Sequence, residues 1–141
     1  MILLLLLILG HYIGDYTPLS TPKMLKAKQF SKPLFPIFEH ALVHGAIFCI
    51  IYFYYQAVIY TFNNIGDLSY DAYLNYSFNC IIPSLILLII HFLIDVGKGK
   101  ITYYIKQTQD ISKPPFWMLH GLDQFLHIVT IIIIHNQIQD I

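Results

Sequence analysis

The chain predicts an all-α protein, a polytopic four-transmembrane-helix bundle in up-down order with both termini outside. Three observations carry that prediction. Apolar runs such as IIPSLILLIIHFLI recur, and 57% of the 141 residues are hydrophobic. Only 11% are charged and arginine is absent, so a water-soluble domain of this size would lack the polar surface to cover its core. Finally, all eight lysines fall into two clusters.

The first helix is expected over about 1–16. No basic region precedes its apolar run and no small-residue cleavage pattern follows, so it reads as a mature helix rather than a signal peptide. At about 1.5 Å per residue it falls slightly short of a hydrocarbon core of about 30 Å. The second helix is expected over 36–60, opening at Pro36. The third covers 78–96 and stops at Gly97 and Gly99, with Pro83 near its start, where a lost hydrogen bond costs least. The fourth follows Pro114-Pro115 and spans 116–135.

The connections between these helices fix the orientation. Lys23, Lys26, Lys28 and Lys32 lie in the loop 17–35, and Lys98, Lys100, Lys106 and Lys113 in the loop 97–115. The intervening segment 61–77 carries only Asp67 and Asp71. Basic loops stay in the cytoplasm, so residues 1–141 are expected to form a single multi-pass membrane domain. The lipid bilayer is its first partner, with anionic headgroups near the lysine loops. A homo-oligomer is compatible with the pattern, and nucleic acid binding is not, since no recognised fold accompanies the lysines.

The chemistry lies in four pairs spaced i, i+4: His11 and Asp15, His40 and His44, His91 and Asp95, Asp123 and His127. That spacing puts both members of a pair on one helix face. Ionisable groups inside a membrane are costly and face the bundle interior with a partner. With the topology set by the lysines, all four pairs fall in one layer toward the cytoplasm. Cys49 and Cys80 sit in apolar helices without a ligand pair or a disulfide framework. GKGK at Gly97 lacks phosphate-loop spacing, and HALVH lacks the glutamate of a zincin motif. No Glu-x-x-His of the ferritin type occurs.

GHYIGDY with the downstream PKMLKAK, HALVH, HFLIDVGKGK and LDQFLH together resemble a family of small four-helix bacterial and phage-associated membrane proteins classed as a domain of unknown function. The resemblance covers nearly the whole chain. It implies that His11, Asp15, Lys28, His40, His44, His91, Asp95, Lys98, Asp123, Gln124 and His127 are the matching polar positions. Members often carry a glutamine where this chain has Ser20. The resemblance implies no activity.

Histidines and carboxylates in this number suit one or two divalent ions. Zinc is the first choice and manganese or iron the alternatives, because thiolates are absent. The metal ligands expected are His11, Asp15, His40, His44, His91, Asp95, Asp123 and His127. If the chain is an enzyme, it is expected to be a metal-dependent hydrolase at the cytoplasmic face, acting on a phosphorylated lipid or another anionic substrate. Asp15, Glu39, Lys98 and His120 are then the candidate catalytic groups: carboxylate or imidazole for proton exchange, lysine as a point charge for phosphate. Ion or small-solute transport, a structural His/Asp hydrogen-bond network, and haem held between histidines are the alternatives.

Overall fold

The computed structural model describes residues 1–30, 32–63 and 70–139. They form five α-helices: α1 (Ile2–Tyr16), α2 (Pro22–Phe30), α3 (Leu34–Asn63), α4 (Tyr70–Tyr104) and α5 (Pro114–Gln139). A 3-10 turn over Lys106–Gln109 precedes α5. Among the described residues, segments of α3, α4 and α5 (Leu34–Phe62, Phe78–Tyr104 and Pro114–Gln137) are long and apolar enough to cross a membrane. The apolar α1 is shorter. The fold is all-α, and its outward faces are apolar.

Sequence spacing explains which face turns in. On α1, Leu3, Leu7, His11 and Asp15 are buried at four-residue intervals, while Leu5, Leu6, Leu9 and Ile13 are exposed. On α5 the buried face runs Asp123, His127, Ile131 and Ile134, with Phe125, Ile132 and Ile133 outward. In water such exposed leucines and isoleucines would be an aggregation hazard; against lipid they are the ordinary solution.

The interior divides by chemistry. Leu3, Leu7, Phe48, Tyr52, Cys80, Leu87, Ile131 and Ile134 form an apolar core. The i, i+4 polar pairs lie beyond it, toward the end carrying the two lysine-bearing connections. His135 is buried on the apolar side, with its Nδ1 unpartnered.

Three elements differ from the sequence expectation. Residues 17–35 are not a plain loop, because α2 lies within them. It is short, and Ala27 and Lys28 are its buried residues, so its place comes from docking on α3 and α4 rather than from an apolar run. Second, α4 starts at Tyr70 and runs through Gly97 and Gly99 to Tyr104. Each glycine costs a helix interior about 1 kcal/mol. Here the cost is offset by the contact of α2 with α4, by the Lys98–Asp123 ion pair at 2.6 Å and by Gln109 Nε2 donating to Thr102 O at 2.9 Å. Third, α5 opens at Pro114, a residue suited to a first helical turn. Ahead of it Ser112 N–H and Oγ–H both donate to Asp110 Oδ1, at 3.0 and 2.7 Å. Of the expected acidic segment 61–77, Asp67 lies outside the described residues and Asp71 is in α4.

Cys49 and Cys80 meet across α3 and α4, with their Sγ atoms 3.4 Å apart and Cys49 Sγ–H donating to Cys80 Sγ. Both are thiols and not joined by a disulfide. Mild oxidation of the intact protein is expected to give an intramolecular cross-link, read by mass spectrometry of a peptide joining residues 49 and 80. Quantitative alkylation of both thiols without that peptide would contradict the packing of α3 on α4.

Candidate metal centre and buried charge network

Each helix delivers its pair by the period of the helix, and α2 adds a cation. Lys28 Nζ lies 3.2 Å from Asp15 Oδ1, 3.0 Å from Asp95 Oδ1 and 3.2 Å from His40 Nε2. An ammonium carries three protons; two are donated in hydrogen bonds to Asp15 Oδ1 and His40 Nε2, and Asp95 is held by the ion pair. Lys28 thus joins α1, α3 and α4 through a side chain with little exposure. Burial alone would lower its pKa, but Asp95, Asp15 and Asp123 outweigh that effect and hold it above the usual lysine value.

Hydrogen-bond partners assign the proton positions of two histidines. Ser20 Oγ–H donates to Gly14 O at 2.6 Å, so Ser20 Oγ accepts from His40 Nδ1–H at 2.9 Å. That leaves His40 Nε2 bare in the neutral ring, ready to accept from Lys28. The same nitrogen lies 3.1 Å from Asp15 Oδ1; with Nε2 bare, that approach is bridged by the ammonium they share. His127 Nδ1 lies 2.8 Å from Asp123 O. A carbonyl only accepts, so Nδ1 carries the proton and His127 Nε2 is a bare lone pair.

Four imidazoles crowd beside this network. Ring centroids of His44 and His91 are 4.0 Å apart, and so are those of His91 and His127. His11 lies 4.9 Å from His44 and 5.1 Å from His127. Its Nδ1 shares one proton with His44 Nδ1 across 3.3 Å, which leaves one of those two rings with a bare Nε2. Nε2 of His11, His44, His91 and His127 has no hydrogen-bond partner, and neither has either oxygen of Asp95. Carboxylate oxygens approach these nitrogens at 3.3 Å (His44 to Asp15, His91 to Asp95), 3.7 Å (His11 to Asp15) and 3.9 Å (His127 to Asp95), but outside hydrogen-bond geometry.

Buried polar atoms are almost always satisfied, so this concentration of unpartnered ligand atoms fits a cation. Asp15, His40, His44 and His91 bring one ligand atom each to within 4.8 Å of one another, as do His91, Asp95 and His127. Nitrogen and carboxylate oxygen make a donor set for a borderline divalent ion. The charge balance agrees. Asp15, Asp95 and Asp123 face only Lys28 and Lys98, so neutral imidazoles leave one buried negative charge.

The structure therefore gathers His11, Asp15, His40, His44, His91, Asp95, Asp123 and His127 into one layer. Lys98 joins through Asp123 Oδ2 at 2.6 Å, and Gln124 Nε2 donates to Asp15 Oδ2 at 2.8 Å. His120 stands outside, its Nε2 3.1 Å from Tyr16 Oη. Glu39 is half-buried and has neither a hydrogen bond nor an ion pair among the described residues. The role of Ser20 escaped sequence reasoning. A small hydroxyl after a helix end carries no signal of the ring it orients. A cavity of about 380 Å³ lies next to the layer, lined by Asp15, Lys28, Lys98, His120, Asp123 and Gln124 together with apolar side chains.

Two glycines separate packing from site geometry. A Cβ on Gly10 would lie 2.5 Å from Ile51 Cδ1 and 2.8 Å from Ile47 Cγ2, a methyl of a stiff β-branched side chain, whereas one on Gly14 would lie 2.5–2.9 Å from the His44 ring. Gly10→Ala is expected to lower the melting temperature at unchanged metal retention, and Gly14→Ala to displace His44 and weaken metal retention, as measured by bound-metal analysis of the folded variants. Lys28→Met leaves Asp15 and Asp95 buried without their cation and is expected to cost about 3–5 kcal/mol in detergent unfolding. Because the Lys28 pKa is raised on folding, its stabilisation is complete below the ordinary lysine range and fades as pH climbs through the raised value. Melting of the wild type, but not of Lys28→Met, should carry that alkaline loss.

No curated protein and no solved structure matches the chain. A family model described as "Protein of unknown function (DUF3307)" matches residues 3–141. That match extends over nearly the whole sequence and includes all four i, i+4 polar pairs, and so the chain belongs to the DUF3307 family.

Proposed function

We propose that this chain is a multi-pass protein of the bacterial inner membrane, with four spanning helices and both lysine-bearing connections in the cytoplasm, that holds a divalent cation among His11, His44, His91 and His127. The observation that carries this reading is the set of four Nε2 atoms without a hydrogen-bond partner, beside the carboxylate of Asp95, which is ion-paired to Lys28 but accepts no hydrogen bond. His127 Nε2, and one Nε2 from the His11–His44 pair, are lone pairs by hydrogen-bond assignment. Asp15 and Asp95 supply the compensating charge. Zinc suits such a donor set first, with manganese or iron as alternatives. Two ions are less favourable than one, because Lys28 already fills the space between Asp15, Asp95 and His40.

The use of the ion follows from what the neighbouring groups are doing. Lys28 and Lys98 are paired to carboxylates, and His120 to Tyr16. A network of mutually committed groups suits holding or passing a cation, and tying the helices together, better than it suits hydrolysis. A metallohydrolase is the second reading, favoured by one observation: the cavity reaches Asp15, Lys98, His120 and Asp123 at the edge of the layer. There a bound ion would supply a water of lowered pKa, and Lys98 would hold an anionic substrate oxygen.

Elemental analysis of untagged protein is expected to find one divalent ion per chain, reduced to a trace in His91→Ala and in the His11→Ala/His127→Ala double variant. Trace metal in wild-type protein, as isolated and after reloading, would leave the purely structural network. In sealed vesicles, metal-dependent cation flux lost in Asp95→Asn supports passage. Release of phosphate from polyprenyl phosphate or phospholipid, lost in the same variant, moves the hydrolase forward.

A further inference from the structure

The cavity has features that the metal reading does not use. Its polar edge is an ion pair that is only half satisfied on each side. Asp123 Oδ2 accepts from Lys98 Nζ at 2.6 Å, while Asp123 Oδ1 has no hydrogen-bond partner and the carboxylate side chain is 0% exposed. Gln124 Oε1, on the next residue, is also unpartnered, because the amide is turned to give its Nε2 proton to Asp15. Both residues line the cavity. Two buried acceptors in want of donors call for a ligand that brings N–H or O–H groups.

Lys98 supplies the complementary half. Its ammonium has three protons, and Asp123 is its one ion-pair partner. Its side chain keeps 18% exposure, so the remaining protons are open to an anionic oxygen. An Lys–Asp pair with one free side on each member is matched by a ligand of opposite polarity at the same short spacing, with an ammonium for the aspartate and a phosphate oxygen for the lysine. Of the other walls, Leu25, Ile111, Phe116 and Leu119 suit an aliphatic stem, while Gln29, Thr102, Thr108 and Gln109 add neutral polar lining.

Depth agrees with this chemistry. Tyr16 lines the cavity, Trp117 follows Phe116 of its wall, and Tyr103 and Tyr104 close α4 beside it; all four are exposed aromatics. Exposed Trp and Tyr at the end of apolar helices mark the headgroup level of a bilayer. At about 380 Å³ the cavity is within the usual range for a small-molecule site.

We propose that the Lys98–Asp123 pair and Gln124 make this cavity a binding site for an aminoalkyl phosphate, the chemistry of an ethanolamine headgroup, whether carried on a lipid or free. The proposal rests on the membrane reading and not on the metal. Bound metal measured on the same preparations keeps the two failures apart.

The test uses the full chain in phosphatidylcholine nanodiscs or detergent. Native mass spectrometry after incubation with short-chain phosphatidylethanolamine, phosphatidylcholine or phosphatidylglycerol is expected to show at least about tenfold better retention of the ethanolamine lipid, since a site built for a donor rejects an analogue lacking it. Leu119→Trp, which fills the cavity from its apolar wall and spares the charged layer, should remove that retention at unchanged bound metal and melting temperature. Ile111→Trp serves in the same way if Leu119→Trp does not fold. Competition by soluble phosphoethanolamine, followed by phosphorus NMR, distinguishes a free ligand from one that needs its acyl chains. Equal retention of choline and ethanolamine lipids, equal retention of the glycerol lipid, no retention, or retention that survives both tryptophan variants would overturn the proposal.

Discussion

The ammonium of Lys28, buried between Asp15, Asp95 and His40, is the interaction on which the rest of the structure depends. A carboxylate in a hydrocarbon environment is costly unless it has a partner. Two of them, on α1 and α4, are brought close here by one cation from a third helix. The consequence is geometric as well as energetic. Two hydrogen bonds and an ion pair leave Lys28 little choice of position, so α2 cannot slide along α3 and α4 without breaking a charged contact. A nine-residue helix with no apolar stripe would otherwise have little reason to be ordered. The registration of α1 against α4 follows from the same atom.

That arrangement explains the division of the bundle. The buried charged side chains and the clustered imidazoles lie at the end where lysines can reach them from the connections, and the other end is closed by leucine, isoleucine, phenylalanine and two thiols, with His135 the imidazole on that side. Long basic side chains reach from a helix flank into a layer near the membrane boundary while their stems lie along apolar surface. Lys28 and Lys98 do this from opposite sides, and each meets an aspartate of a different helix. A polar layer at mid-membrane would have no such access to cations and would have to remain neutral.

The part of the site that was legible in the sequence is the part written in helical period. His11/Asp15, His40/His44, His91/Asp95 and Asp123/His127 each repeat at four residues, and the bundle gathers the pairs into one layer. Partners across helices were not legible, because no spacing says that Lys28 meets Asp95 or that Gln124 meets Asp15. The helical stop at Gly97 failed for a related reason. Propensity weighs glycine locally, while α4 is continued by the Lys98–Asp123 ion pair to α5, by Thr102 O accepting from Gln109 in the turn before α5, and by the contact of α2 with α4. The meeting of Cys49 and Cys80 needs the α3–α4 register, which the period of neither helix contains. The resemblance to a family did point to Lys28, Lys98 and Gln124 as polar positions, and the structure gives each a named partner.

Lys28 also bears on which ligand atoms a cation can use. Asp15 and His40 belong to one of the two clusters with ligand spacing, yet their atoms facing it are those that receive the lysine's protons. An ion drawn to them would have to share the space with an ammonium about 3 Å away, and like charges at that distance repel strongly in a low-dielectric interior. The side of the layer away from Lys28 has no such occupant. There His127 Nε2 is bare, one of His11 and His44 offers a second lone pair, and His91 stacks between them. The charge network thus steers a cation toward imidazole nitrogen and away from carboxylate oxygen. An imidazole-rich set favours zinc or another late first-row ion over magnesium or calcium, which require oxygen ligands. The preference would be set by a side chain that does not touch the ion.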